Sequence, residues 1–442
     1  MDTNAPRHTI SNRSIQLLEL ERQYIVGGFE PVPLMFERGK GSRLWDVDGK
    51  EYIDFISMFS ATNHGHCHPH IAKKVTEQME KLWVANLASH NASYGPFAEM
   101  MCKRFGYDKM IAMTSGTEAA DTACKLARKW GIQIKGIAAE NLLILGVGQS
   151  YHGLGSGVWG LMDGTNKRTE YGLDSQVYMN VNPSTGESLH YLDLDAMRRC
   201  FNSHHGRIAA VIMECFHGVA RSVEEEKAYA RGVYDLCREY GVLFIADEVR
   251  QGAGKTGKFL SYQHLGNDCK PDIVTMGKSI SGGFYPASFI LGTDTVMTLV
   301  KSYEMASTFA FTPLAIAAAT AAVEVIDSDN LISRGIKLGE RWKAIVSGWN
   351  HPKVSYVASL GAESNLFLHC DSGNRLAALC MHKGLFVYPR ADGLRISFAL
   401  NMAMEDLERG AEIIRESLDE LDLPGEVVGE DFYANLRPAT GK

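Results

Sequence analysis

One lysine, Lys278, leaves an apolar stretch in the run Pro271-Asp-Ile-Val-Thr-Met-Gly-Lys-Ser-Ile-Ser-Gly-Gly283. Thirty-one residues earlier, the apolar run Val242-Leu-Phe-Ile-Ala-Asp247 ends on an acid. An ε-amine condenses with an aldehyde to a Schiff base. A carboxylate can keep a pyridine nitrogen protonated, so that the ring draws electrons from a substrate carbon. A lone lysine at a strand end would read as a solvated surface charge. A lysine and an aspartate at two strand ends suit pyridoxal phosphate, with Lys278 and Asp247 as the catalytic pair.

Three more stretches could carry chemistry. Thr114-Ser-Gly-Thr-Glu-Ala119 precedes a helical pattern. Its small residues let backbone N–H groups reach an anion at a helix N-terminus, which makes Ser115, Gly116 and Thr117 a candidate phosphate seat. The same residues also spell an ordinary capping box, Ser followed three residues later by Glu. In Ser150-Tyr-His-Gly-Leu-Gly-Ser-Gly157, Tyr151 stands at a strand end beside glycines, where an aromatic ring can stack on a flat cofactor. Its glycines do not make a dinucleotide fingerprint, because no acid is suitably placed after a following strand. Gly252-Ala-Gly-Lys-Thr-Gly257 resembles the end of a nucleotide phosphate loop, but Val249 occupies the place of the required glycine. His64-Gly-His-Cys-His-Pro-His70 is broken by glycine and proline, and no second ligand group has zinc spacing. It reads as a tight turn, and no metal is expected.

These residues need strands that end together. Helix-like Glu118–Lys129, strand-like Leu142–Leu145 and Ala209–Met213, a helix over Tyr229–Tyr240 and a strand over Val242–Ala246 alternate along the chain. That order predicts an α/β fold with a parallel sheet and ligands at the strands' carboxyl ends. Gly41–Phe55 reads as two strands about an Asp48-Gly49 turn. Pro313–Val325 reads as helix, residues 330–420 as a smaller α+β unit, and the last twenty residues as a tail. The expected domains are an N-terminal arm and small-domain segment over 1–60, a large domain over 61–320, and a C-terminal small domain and tail over 321–442. The 442 residues are 45% hydrophobic, enough for a large core. The formal charge of -7 comes with mixed signs and no basic block, which argues against nucleic acid as a partner. No apolar run approaches the roughly 18 residues of a membrane span. Nine scattered cysteines without a C-x-x-C pair, and acids early in the chain, point to a cytoplasmic protein with reduced thiols.

Taken together, the chain resembles the class III, ornithine aminotransferase-like family over residues 25–420. The likeness rests on Phe36-Glu-Arg-Gly-Lys-Gly41, Leu44-Trp-Asp-Val-Asp-Gly49, Asn63-His-Gly-His-Cys-His-Pro69, Ala123-Cys-Lys-Leu-Ala-Arg-Lys-Trp-Gly131, Leu243-Phe-Ile-Ala-Asp-Glu248 and Gly277-Lys-Ser-Ile-Ser-Gly-Gly-Phe-Tyr-Pro286. The resemblance implies a fold-type I pyridoxal-phosphate transferase, with a large, mainly parallel sheet domain and a smaller α+β domain. It makes Lys278 the Schiff-base lysine and proton shuttle, and Asp247 the partner of the pyridine nitrogen. It places Ser115, Gly116, Thr117, Tyr151, Val249, Arg250 and Thr308 in the cofactor-binding set. Thr308 would reach the phosphate of a neighbouring subunit in a homodimer with shared active sites. Arg395, Phe29, Phe59, Leu154 and Val219 form the implied substrate-binding set.

Departures from the family bear on the substrate. Where ornithine aminotransferases carry Glu-Pro-Ile-Gln-Gly-Glu-Ala-Gly, this chain has Glu214-Cys-Phe-His-Gly-Val-Ala-Arg221. The family's second glutamate, which pairs with an arginine matched by Arg395, becomes Val219. A carboxylate-binding arginine becomes Leu154, two pocket tyrosines become Phe29 and Phe59, and a glutamine near the phenolic oxygen becomes Arg250. An arginine without its masking glutamate should bind a substrate carboxylate in bidentate fashion. That favours an amino acid reacting at its α-carbon. The expected reaction is transamination with a 2-oxo acid acceptor, through a quinonoid carbanion. Racemisation or epimerisation, or lyase or cyclase chemistry at the α-carbon, needs no acceptor and stands as the alternative. A binding paralogue without activity is a third class, opposed by the intact lysine and aspartate.

Overall fold

A computed structural model describes residues 11–26, 28, 31–173 and 177–430. Phe29 therefore lies outside the described residues. The chain divides into two compact units, one built from residues 69–330 and one from 1–68 with 331–442. The divisions fall eight and ten residues beyond the expected ends at 60 and 320. His66 explains the first: it exchanges two backbone hydrogen bonds with Gly41 (2.8 and 2.9 Å), which ties the histidine turn to the smaller unit. The second follows from the helix Pro313–Ser328, which packs on the helix Pro69–Met79.

In the larger unit a seven-stranded sheet runs Lys109–Met113, Ser288–Gly292, Ile273–Met276, Leu243–Asp247, Ile208–Met213, Leu143–Leu145, Tyr178–Met179. Ser288–Gly292 is antiparallel to both neighbours, and every other pairing between Ile273–Met276 and Tyr178–Met179 is parallel. The three central strands are buried at every position, so they read as unbroken apolar runs rather than alternations. The helix Gly116–Gln133 lays Ala119, Ala120, Ala123, Leu126 and Ala127 against this sheet. Small residues set the distance: a Cβ on Gly131 would come within 2.6 Å of Ala209 Cβ. The helix Val223–Glu239 opens with Ser222 as its cap and three glutamates in the first turn, where the helix dipole favours negative charge.

The smaller unit holds two four-stranded sheets, Phe36–Lys40, Arg43–Asp46, Glu51–Asp54, Leu385–Phe386 and Val354–Leu360, Glu363–Leu368, Gly393–Ser397, Tyr388–Arg390. Its core centres on Phe55, Trp342 and Phe398, packed edge to face with centroids 5.0 to 6.1 Å apart. Burial of each such ring contributes about 1.5–3 kcal/mol. Gly410 admits Phe55, since a Cβ there would lie 2.2 Å from its ring.

Candidate active site

Strand register assembles the centre of the larger unit. Asp247 is the buried last residue of its strand, opposite Thr275 on the next. Its Oδ1 accepts from Thr275 Oγ1 at 2.9 Å and from the Val249 amide at 3.1 Å. Its Oδ2 accepts from His152 Nδ1 at 2.6 Å. The carboxylate acceptor places the imidazole proton on Nδ1, and the buried Nε2 has no hydrogen-bond partner. The strand that supplies Thr275 delivers Lys278 two residues past its end, at the start of the single turn Lys278–Ser281. Lys278 has φ +47, a left-handed conformation that costs an L-residue roughly 1–2 kcal/mol. Strain of this kind persists where surrounding structure imposes it, most often at functional positions.

Beside this pair lies the N-terminus of the helix Gly116–Gln133. The capping box is fully formed: Ser115 Oγ accepts the Glu118 amide at 3.2 Å, and Glu118 Oε2 accepts the Ser115 and Thr114 amides at 2.9 and 2.8 Å. The ordinary capping reading is thus realised, and it does not consume the seat. The amides of Gly116 and Thr117, at the first two helical positions, have no intrahelical acceptor. The surroundings are shaped by missing side chains. A Cβ on Gly116 would meet Val249 Cγ1 at 2.7 Å, and one on Gly153 would meet Thr117 Oγ1 at 2.0 Å. Two open amides at a helix N-terminus, a buried carboxylate and a lysine are a donor set that fits pyridoxal phosphate.

Glu214 links the neighbouring loops. Its Oε2 accepts the Tyr151 amide at 3.0 Å, and its Oε1 accepts Arg250 Nε at 2.7 Å. Burial pushes this carboxyl up, but the Arg250 charge, with His217 and His152 nearby, holds it well below the ordinary range. Arg250 also donates Nη2 to the Phe216 carbonyl at 3.2 Å. The expected role of Arg250 near the phenolic oxygen is therefore joined by a buried pairing with Glu214. Past Phe216, the strap 217–220 wraps one carboxylate: Glu226 accepts the amides of His217, Gly218, Val219 and Ala220 at 2.8, 3.0, 2.6 and 2.8 Å. Tyr191 adds its hydroxyl at 3.1 Å. Val219 thus sits on a pinned loop. Tyr151 and Leu154 are exposed at 54% and 51%. Thr308 is exposed, while its neighbour Ser307 donates to Glu118 Oε1 at 3.1 Å.

In the smaller unit, Arg395 lies on the strand Gly393–Ser397, its guanidinium 5.6 Å from the Phe59 ring centroid. Its Nη2 is 3.7 Å from Oε1 of Glu363, a buried acid on the adjacent strand. The expectation of an arginine without a nearby acid rested on Val219, and Glu363 qualifies it. Phe59 belongs to a turn in which Ser57, Met58, Phe59 and Ser60 all have positive φ, between 42° and 65°. The histidine segment is engaged with acids: His66 Nε2 lies 2.8 Å from Asp54 and His70 Nε2 lies 2.9 Å from Glu324. Among the described residues no group of three or more His, Cys, Asp or Glu could hold a metal ion.

Sequence reasoning missed His152, Thr275, Glu226 and Glu363 as partners of the residues it named. His152 directly follows Tyr151, which was the one available signal for it. Thr275 and Glu363 lie far along the chain from Asp247 and Arg395, Glu226 lies six to nine residues from the strap amides it accepts, and none of the three carries a local motif.

Comparisons with known proteins agree with this geometry. The family model described as aminotransferase class-III matches residues 25–418. The ornithine aminotransferase of Saccharomyces cerevisiae is 35% identical over 427 residues, covering 93% of this chain and 99% of the relative. That of Schizosaccharomyces pombe is 34% identical over 423 residues, covering 94% and 95%. The solved structure of Plasmodium falciparum ornithine delta-aminotransferase aligns with a TM-score of 0.78 at 30% identity, covering 93% of this chain and 100% of that one. These matches favour transamination over racemisation or lyase chemistry. The chain belongs to the class-III aminotransferases and is a pyridoxal-phosphate-dependent enzyme of that family.

Proposed function

We propose that the enzyme takes the amino group from the α-carbon of an amino acid and passes it to a 2-oxo acid, with Arg395 as the ligand of the substrate carboxylate. The observation that carries this reading is Val219 on the pinned strap, where the resemblance expects a masking acid. Pyridoxal phosphate, when bound, supplies the aldehyde carbon that receives the amino group and a ring that withdraws electrons from the reacting carbon. Asp247 would keep a proton on the ring nitrogen, and Thr275, the Val249 amide and His152 fix the position of its carboxylate. Lys278 holds the cofactor and carries a proton on Nζ to and from the substrate carbon. The Gly116 and Thr117 amides would bind the phosphate, and Tyr151, whose backbone is anchored by Glu214, would stack on the ring.

Glu363, 3.7 Å from Arg395, favours a second reading, transfer from an ω-amine as in ornithine. The two readings differ in product. Incubation with a panel of L-amino acids, including ornithine, with and without 2-oxo acid, followed by mass analysis, separates an α-oxo product from an ω-aldehyde. Val219→Glu should weaken use of α-amino acids and favour ornithine's δ-amine. An unchanged substrate profile in that variant sinks the α-carbon reading.

We further propose a homodimer with shared active sites, in which Thr308 serves the neighbouring subunit's phosphate. Exposed apolar side chains support it: Met79, Leu82, Trp83, Val84 and Leu87 follow one another in the larger unit, and Phe309 adjoins Thr308. A fully active monomer in light scattering overturns this. The nine cysteines, all unpaired, support a reducing compartment such as the cytoplasm.

A further inference from the structure

We infer that Ser397 clasps the left-handed turn 57–60 and thereby sets the orientation of Arg395, which makes Ser397 a positioning residue for the substrate carboxylate. The inference rests on the reading of Arg395 as carboxylate ligand. Four successive residues without a glycine, Ser57, Met58, Phe59 and Ser60, hold φ of 42°, 48°, 55° and 65°. L-residues avoid this region because Cβ crowds the following carbonyl, so a run of four must be imposed from outside.

The restraints are visible, and they converge on one strand. Asp54 Oδ1 accepts the amides of Ile56 and Ser57 at 2.8 and 2.9 Å, which fixes the entry to the turn. Ser397 Oγ lies 3.1 Å from Ser57 Oγ and 3.4 Å from Ser60 Oγ, so one hydroxyl spans both ends of the turn. The Ser397 amide donates to the Phe55 carbonyl at 2.7 Å. All of these hydroxyls are buried.

Ser397 and Arg395 are two residues apart on one strand and so project from the same face. The turn therefore meets that face twice, at Ser397 through hydroxyls and at Arg395 through Phe59, whose ring lies 5.6 Å from the guanidinium carbon. Tyr388, the cross-strand partner of Arg395, packs edge-on against Phe59 with centroids 4.8 Å apart. Glu363, the cross-strand partner of Ser397, stands 3.7 Å from the guanidinium on its other contact. A bidentate carboxylate bond demands a fixed guanidinium plane, and an aromatic face supplies one. In a right-handed turn the Phe59 Cβ would point elsewhere and that platform would be lost. The left-handed turn is thus the device that presents Phe59 to Arg395, and Ser397 keeps it closed.

Steady-state kinetics of the holoenzyme test this, with Arg395→Lys run alongside. Ser397→Ala should raise KM for the amino acid about fivefold to tenfold, the weight of one or two hydroxyl hydrogen bonds, with kcat and cofactor retention within about twofold. Ser397→Thr, which keeps the hydroxyl, should stay near wild type. Met58→Gly, which accepts the left-handed conformation without penalty, should return the KM of Ser397→Ala towards wild type. A hydroxyl with a merely structural duty elsewhere would not be rescued from Met58. If Ser397→Ala does not fold, Ser60→Ala replaces it, with a smaller rise of about threefold and the same rescue. Should Arg395→Lys leave KM unchanged, the carboxylate reading falls and the clasp falls with it. If Arg395→Lys raises KM but the serine variants do not, or Met58→Gly fails to rescue, the clasp alone is overturned.

Discussion

Replacing Glu226 should loosen the strap that carries Val219, and the structure sets the size of the effect. The Glu226 carboxylate is buried and accepts four successive amides and the Tyr191 hydroxyl, at 2.6 to 3.1 Å. Glu226→Ala leaves those donors without an acceptor. Each buried unsatisfied donor costs about 1–3 kcal/mol, and water entering the vacated space recovers part of the sum. A net loss of about 4–6 kcal/mol follows, since roughly half the donors find water. For a unit of this size, about 2 °C per kcal/mol gives a fall in midpoint of roughly 8–12 °C. Glu226→Gln keeps an oxygen for two of the amides but turns an NH2 towards the others, so it should lose roughly half as much. Thermal unfolding of the holoenzyme, followed by circular dichroism at fixed protein and cofactor concentration, reads both values. KM should rise with the loss of stability, because Phe216, at the root of the strap, also accepts from Arg250 and Gln251. A fall of less than about 2 °C for Glu226→Ala, against the scale above, would refute the reasoning and show that the strap holds its shape without the carboxylate.

Lys278→Ala should abolish covalent attachment of the cofactor and nearly all turnover; borohydride reduction with peptide mapping to a different lysine would contradict the assignment. Asp247→Asn should retain cofactor yet lose kcat by about 100-fold or more, because the ring nitrogen loses its anionic partner; near-normal turnover would make the aspartate structural only. Burial pushes the Glu248 carboxyl up from 4.5 to about 7, against hydrogen bonds from Ser261 and Tyr262 that pull it down. The folded state thus binds this proton more tightly than the unfolded one. Its stabilising contribution is complete below pH 4.5 and is lost as the pH rises through about 7. Within that window the folding equilibrium should weaken by up to about tenfold per pH unit. Glu248→Gln should flatten this slope in urea titrations at several pH values, and an unaltered slope would assign the pH dependence to other groups.

Much of this molecule is readable without coordinates, and the reason is local. Lys278 and Asp247 each end an apolar run, so their chemistry and their strands share one short stretch of chain. The helix Pro313–Ser328 announces itself by a proline at its first position after a Thr312 cap. The helix Val223–Glu239 begins six residues before the expected Tyr229, because its first turn carries three glutamates in place of apolar residues and so breaks the apolar pattern. The histidine turn could not be assigned to a unit from its spacing, since its pairing with Gly41 is a backbone contact that any residue type could make. The alternation of strands and helices, the catalytic lysine and aspartate, and the small-residue helix N-terminus were determined by the sequence itself, because each depends on residues adjacent in the chain. The His152–Asp247–Thr275 cluster, the Glu226 carboxylate inside the strap, the Glu363–Arg395 approach and the left-handed turn under Ser397 were decided only by tertiary structure. Their partners come together through strand register and loop closure, and nothing in the spacing of residues along a chain encodes which side chain a given register or loop will bring within hydrogen-bonding reach.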